Sequence, residues 1–282
     1  MHVFVTGATG YIGSAVVREL IGAGHTVTGL CRSEEKAAGL KAAGAEVLYG
    51  KLDDLDTLRK GAAAADGVIH LAFTNDFSNF EGALALDLRA VEAMGTALEG
   101  SGKPFITTAH ANGHNVDHAV LALAERGVRA SIVSLSPSVH GEGDRGFVPM
   151  MINIARAKGF AACIGDGANR WPAVHRLDAA VLYRLALESA PAGSRLLGAG
   201  DEGIELREIA AVIGRQLNVP VLSITAEEAA AHFGFLGAIA AFDITSMYNT
   251  SQASLATREL LGWIPVQPGL IADLEEGDYF ET

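Results

Sequence analysis

Short apolar runs alternate with amphipathic stretches along the first half of the chain. The runs fall at residues 2–6, 25–30, 46–49, 67–72, 104–108 and 130–135. Each is too short for a helix and predicts a strand, and 2–6, almost fully apolar, predicts a buried parallel one. Between them, residues 14–23, 55–64, 83–98 and 117–126 repeat apolar positions at helical spacing, as in Val16, Val17, Leu20 and Ile21. Asp53 or Asp54 is placed to cap the second of these helices. Strands alternating with helices in this way predict an α/β fold, a doubly wound parallel sheet. After Leu135 the rhythm breaks. A turn-rich loop at 136–144 leads to helices at 147–157, 178–187 (preceded by 171–175), 206–217 and 226–232, with a short strand at 220–224. The expected division is a main domain of 1–145 plus about 170–190, and a smaller mixed C-terminal cap of 146–169 and 191–282. The apolar stretch 233–242 is too short to cross a bilayer and predicts a buried helix of the cap or a dimer contact.

The strongest chemistry lies in the first turn. Strand 2–6 runs straight into Gly7-Ala8-Thr9-Gly10-Tyr11-Ile12-Gly13, a helix follows, and Gly24 closes it. Gly7 permits the tight turn, Gly10 lets backbone approach a pyrophosphate, and Gly13 lets helix and strand pack closely. The helix N-terminus then presents free N–H groups to the phosphates. This order of strand, glycine turn, helix and strand is the signature of a Rossmann dinucleotide site, formed by Thr6, Gly7, Gly10, Tyr11, Ile12 and Gly13. The second strand ends in Leu30-Cys31-Arg32-Ser33 without an acid to hold a ribose 2′-hydroxyl. Arg32 and Ser33 suit a 2′-phosphate, so NADP is expected, with NAD as the alternative. The competing role for Arg32 is that of a solvated residue opening the next helix.

Composition narrows the class. The chain has 282 residues, 49% of them hydrophobic, enough to bury a sizeable core. The formal net charge of −12, without a Lys or Arg run, argues against nucleic acid. Two cysteines, Cys31 and Cys163, make neither a metal spacing nor a disulfide framework, and no signal-peptide pattern opens the chain. A cytoplasmic protein, off the membrane, is therefore expected.

These residues resemble the extended and atypical short-chain dehydrogenase/reductase superfamily, which includes the NAD-dependent epimerase/dehydratase and 3β-hydroxysteroid-dehydrogenase-like proteins. Thr6 to Gly13 is similar to the family's TGxxGxxG turn, and His70-Leu71-Ala72 to its HLA element. Asp87 stands where the family often has Asn. Ser138-Val139-His140-Gly141 resembles the NVYG loop, with His140 at the Tyr position. Val174 to Asp178 resembles VHVDD, and Leu261 to Pro265 matches LGWxP. The resemblance implies hydride transfer between nicotinamide and a small or medium carbonyl or alcohol. It implies that Leu52, Leu71, Ala72, Phe73, Thr107, Pro137 and Ser138 line the cofactor, and that His140, Phe147 and His175 face the substrate. Dimers through the helices flanking the fourth and fifth strands are common in the family.

The chain departs from the family at the proton donor. None of its five tyrosines has Lys four residues on, so the Tyr-x-x-x-Lys pair is absent. Thr108 can stand for the usual Ser or Thr. The stretch between it and the next helix is short where the family carries its tyrosine, and Lys51 replaces an acid that often contacts adenine. His110, His114 and His118 cluster there, and a histidine can serve as general acid near neutral pH. Their spacing does not point to a metal. Three explanations remain open: an atypical enzyme with Thr108 and His110 or His114 as its catalytic groups, an NADP-binding sensor or regulator that turns nothing over, or a chain that lacks the loop. A sugar-nucleotide epimerase or dehydratase is a further alternative, disfavoured because it normally relies on the missing Tyr and Lys.

Overall fold

Val3, Phe4 and Val5 of the first strand, β1 (His2–Thr6), have no exposed surface. A strand covered on both faces reads as a continuous apolar run, and β1 is the middle of such a sheet. The computed structural model describes residues 1–74, 79–110 and 113–281, apart from the side chains of residues 235, 238 and 239. From β1 the chain continues through α1 (Tyr11–Gly22), β2 (Thr26–Cys31), α2 (Glu34–Ala42), β3 (Glu46–Tyr49), α3 (Leu55–Ala64), β4 (Gly67–His70), α4 (Phe80–Leu98), β5 (Pro104–Thr108), α5 (His114–Glu125) and β6 (Arg129–Leu135). These six strands pair in parallel in the order β6-β5-β4-β1-β2-β3. The chain doubles back between β1 and β4, and ligands of such sheets bind outside the strand C-termini at that reversal. Phe4, Leu58, Val68, Val91, Met94, Phe105 and Leu123 build the core. On α3, Gly61 sits so close to β1 that a Cβ there would lie 2.6 Å from the Phe4 ring.

The chain divides into two compact units, the first comprising Met1–Ser134, Ala179–Leu196 and Glu259–Trp263. The second contains β7 (Ser138–His140), α6 (Phe147–Lys158), β8 (Ala161–Ile164) and β9 (Arg170–His175). The helix α7 (Arg176–Ser189) then returns to the first unit, where β10 (Arg195–Gly198) becomes a seventh strand beside β6. The second unit resumes with β11 (Asp201–Glu205), α8 (Leu206–Leu217), β12 (Val221–Ile224) and α9 (Ala226–Phe233). A 3-10 turn (Gly234–Leu236), α10 (Gly237–Ala240), α11 (Ile244–Met247), α12 (Thr250–Leu261) and α13 (Leu270–Glu276) follow. Its small sheets are β11-β9-β7, of mixed direction, and the parallel pair β12-β8. Trp171, Leu206, Ile209, Phe233 and Leu270 lie in its core.

The α/β class with a parallel Rossmann sheet and a smaller mixed part is as the patterning predicts. Several elements differ. The first helix starts at Tyr11, so Tyr11, Ile12 and Gly13 form its first turn. The fourth strand stops at His70, and the fifth helix begins at His114. The expected loop 136–144 contains β7, whose three residues are too few to show a pattern and are held by β9. The stretch 233–242 is not one helix, because Gly234 at φ +61° ends α9. Strands β8, β10 and β11 and the helices after Phe242 carry no signal strong enough to have been predicted. Among the described residues no helix is long and apolar enough to cross a membrane.

Candidate functional site

The glycine turn is shaped by contacts that only a missing Cβ allows. Gly7 has φ +68°, and a Cβ there would lie 2.7 Å from Ala72 N and 2.8 Å from the Leu71 carbonyl oxygen. The segment after β4 therefore passes directly over the turn after β1. A Cβ on Gly13 would fall 2.0 Å from the Gly7 carbonyl oxygen, so α1 starts against the turn itself. Side chains cap α3 (Asp54), α4 (Asn79) and α9 (Thr225). Helix α1 begins at Gly10 with no side-chain cap and no acid in its first turn. Its positive dipole end, with no acid beside it, suits an anion. At the end of β2, Cys31 is buried and its thiol donates to the Ser33 carbonyl at 3.2 Å. Arg32 is exposed and joins none of the ion pairs among the described residues. Leu52, Leu71, Ala72 and Phe73 are half-buried, while Thr107 is buried.

Beside this cradle, at the same edge of the sheet, a polar chain runs through the protein interior. Thr6 Oγ1 accepts the backbone N–H of Ala72 at 3.2 Å and shares that of Leu71, at 3.3 Å, with the Thr6 carbonyl oxygen. With Oγ1 already accepting on the backbone side, the hydroxyl proton goes to His70 Nδ1 at 2.6 Å. That fixes the His70 tautomer: Nε2 carries hydrogen and donates to Asp87 Oδ1 at 2.9 Å. His70 is 3% exposed and Asp87 is 1% exposed. The second Asp87 oxygen lies 3.9 Å from His110 Nε2, a through-space charge contact rather than a hydrogen bond. The His110 ring stacks on Phe73 with centroids 3.9 Å apart. Burial pushes the His110 pKa down, while Asp87 acts in the opposite sense.

A second network reaches Thr108. Its hydroxyl lies 2.7 Å from the Tyr183 hydroxyl and donates to the His70 carbonyl at 3.4 Å. With its single proton so placed, Thr108 accepts from Tyr183 and keeps one lone pair for a ligand. Tyr183 on α7 is fully buried, and burial raises its pKa above the ordinary range. Sequence reasoning passed over Tyr183, because it is 75 residues from Thr108 and no Lys follows it. His114 and His118 are exposed on α5 and join neither network.

The other expected site residues belong to the second unit. Pro137 is half-buried. Ser138 is buried, and its hydroxyl has no hydrogen-bond partner among the described residues. His140 is buried with Nδ1 2.8 Å from Asp273 Oδ2, and its ring meets that of His175 edge-on. His175 Nδ1 accepts the Leu177 N–H at 3.2 Å. Burial and His140 lower the His175 pKa. Phe147 packs its ring edge on Trp171.

Fold and turn together define a Rossmann-type α/β protein with a glycine cradle at the sheet reversal. The profile of the NAD dependent epimerase/dehydratase family matches residues 3–97. An uncharacterized protein of Schizosaccharomyces pombe is 47% identical over 301 aligned positions, covering 99% of this chain and 100% of that protein. A 4-hydroxy-2-methyl-3-oxo-4-farnesyl-3,4-dihydroquinoline-1-oxide ketoreductase of Stigmatella aurantiaca is 27% identical, over 83% of this chain and 80% of its own. The structure also resembles a dTDP-glucose 4,6-dehydratase from Streptomyces venezuelae solved with NAD and DAU bound. The TM-score is 0.76 at 16% identity, covering 99% of this chain and 96% of that one, a likeness of fold. The chain belongs to the NAD-dependent epimerase/dehydratase family, within the extended short-chain dehydrogenase/reductase superfamily.

Proposed function

We propose that this chain is an NADP-linked oxidoreductase acting on a carbonyl or alcohol group of a small or medium organic molecule. The carrying observation is the cradle: a turn with no room for a Cβ at Gly7 or Gly13, facing a helix start without a side-chain cap, with Arg32 at the end of β2 exposed and in no ion pair among the described residues. The N–H groups at the head of α1 hold the diphosphate, and Arg32 with Ser33 holds the 2′-phosphate. Nicotinamide dinucleotide supplies or accepts the hydride when bound. Thr108 offers a lone pair to a substrate hydroxyl, and His110 gives or takes the proton. The ketoreductase relative supports the reductase direction.

A second reading is a cofactor-binding regulator without turnover. The committed proton of Thr108 favours it, since no hydroxyl at that position is left to donate to a carbonyl. Fluorescence titration with NADPH and with NADH, followed by a panel of ketones and alcohols, separates the two. NADPH binding with turnover establishes the oxidoreductase. Binding without turnover on any substrate favours the regulator, and failure of both nucleotides to bind removes both readings.

A further inference from the structure

We infer that Asp87 is the positioning residue of His110: one of its oxygens is occupied by the Thr6–His70 chain, and the other faces His110 Nε2. The inference rests on His110 being the proton carrier proposed above. The argument is one of hydrogen-bond inventory. Thr6 has one proton and gives it to His70 Nδ1, because its oxygen already accepts the Ala72 N–H and shares the Leu71 N–H with the Thr6 carbonyl. His70 must therefore present Nε2–H to Asp87 Oδ1. A neutral imidazole satisfies that oxygen without cancelling the charge of the carboxylate. Asp87 is almost wholly buried, so its charge acts through protein rather than water on His110, 3.9 Å away.

Two consequences follow for the His110 ring. The Asp87 charge favours hydrogen on Nε2, the nitrogen that faces it, and leaves Nδ1 as the nitrogen that exchanges a proton with a ligand. Giving that proton to a substrate oxygen converts the imidazolium to the neutral Nε2–H form. The charged form is also favoured against the burial that opposes it. Among the described residues, the titratable groups facing His110 are Asp87 from α4, His70 from the end of β4 and Asp117 from α5. Of these, Asp117 is paired with Arg195, and His70 is held by its two partners. Phe73, stacked on the ring, fixes its plane.

The test is an NMR titration of the full chain with labelled histidine, using Asp87→Asn and, to identify the resonance, His110→Gln. Asn keeps the volume and an oxygen for His70 but removes the charge. The His110 midpoint falls by about 1–3 units in Asp87→Asn, and its Nε2–H tautomer preference weakens. An unmoved or raised midpoint overturns the inference. Should Asp87→Asn fail to fold, the wild-type 15N shifts decide. His70 must show hydrogen on Nε2 and a bare Nδ1, and neutral His110 must show the same. Hydrogen on Nδ1 of either ring sinks the proposal. NADPH titration of the wild type reads the oxidoreductase proposal separately: no binding there removes that function and leaves the His110 coupling to stand or fall on its own shifts.

Discussion

A single methyl group on Gly13 tests whether the cradle holds a dinucleotide. The Ala Cβ would lie 2.0 Å from the Gly7 carbonyl oxygen, 2.8 Å from Gly7 C and 3.1 Å from Ala8 Cα. Ordinary carbon contacts begin at about 3.5 Å, so turn and helix must separate by about 1 Å or more. All three neighbours are backbone, and no rotamer change relieves the clash. Such overpacking destabilises by about 1–3 kcal/mol. A shift of that size also carries the helix N–H groups out of hydrogen-bond range of a bound phosphate. Losing one charge-assisted bond, about 1.5–3 kcal/mol, weakens binding about ten- to a hundredfold. Gly22 on the same helix is the control, because a Cβ there meets nothing within 4 Å. Gly22→Ala should leave binding intact and stabilise by up to about 1 kcal/mol. NADPH fluorescence titration and thermal melting measure both variants. Gly13→Ala binding NADPH like the wild type, or both variants losing binding alike, refutes the reasoning.

Arg32→Ala should weaken NADPH about tenfold or more and leave NADH nearly unchanged; equal loss for both nucleotides means Arg32 does not read the 2′-phosphate. Tyr183→Phe leaves Thr108 without its donor and should lower stability by about 1 kcal/mol in urea unfolding, and an unchanged midpoint denies that bond. The folded Tyr183 pKa is raised above its ordinary 10.0, so stability from this group is complete below that value and falls as pH rises past it. Absorbance titration should show one of the five tyrosines ionising only as the protein unfolds, and all five ionising together in the folded state would contradict its burial. With the His110 pKa below its ordinary 6.5, the rate of carbonyl reduction should fall as pH rises through and above that region; a rate that climbs toward alkaline pH points to a different acid.

What the sequence revealed follows the range of the interactions. The glycine turn was legible because its contacts are local: Gly7, Gly10 and Gly13 build one turn within seven residues, and a missing Cβ is visible as a letter. The central strands were legible because burial on both faces makes Val3 to Val5 uniformly apolar. The polar chain was not. Thr6 and His70 are 64 residues apart and Thr108 and Tyr183 are 75 apart, and nothing in either neighbourhood announces the partner. Asp87 was noticed only for standing where Asn is usual. The three histidines looked like one cluster, yet the start of α5 at His114 carries two of them onto an exposed helix and leaves His110 inside. Strand β7 was illegible for a related reason, since three residues gain their conformation from β9.

The missing Tyr and Lys pair changes more than the identity of the proton donor. A lysine beside a tyrosine lowers the pKa of a neutral acid by favouring its anion. A carboxylate beside a histidine does the reverse and favours a cation that burial would otherwise discharge. The Asp87 charge can do this only while nothing cancels it, and a direct Lys or Arg partner would remove the effect. The Thr6 hydroxyl therefore matters beyond the cradle. Accepting the Ala72 N–H and part of the Leu71 N–H, it donates to His70, and His70 meets Asp87 through Nε2–H. The same residue thus closes the turn over Gly7 and keeps a buried anion uncancelled beside His110, so the geometry of the glycine cradle and the charge of the candidate acid are set by one hydroxyl.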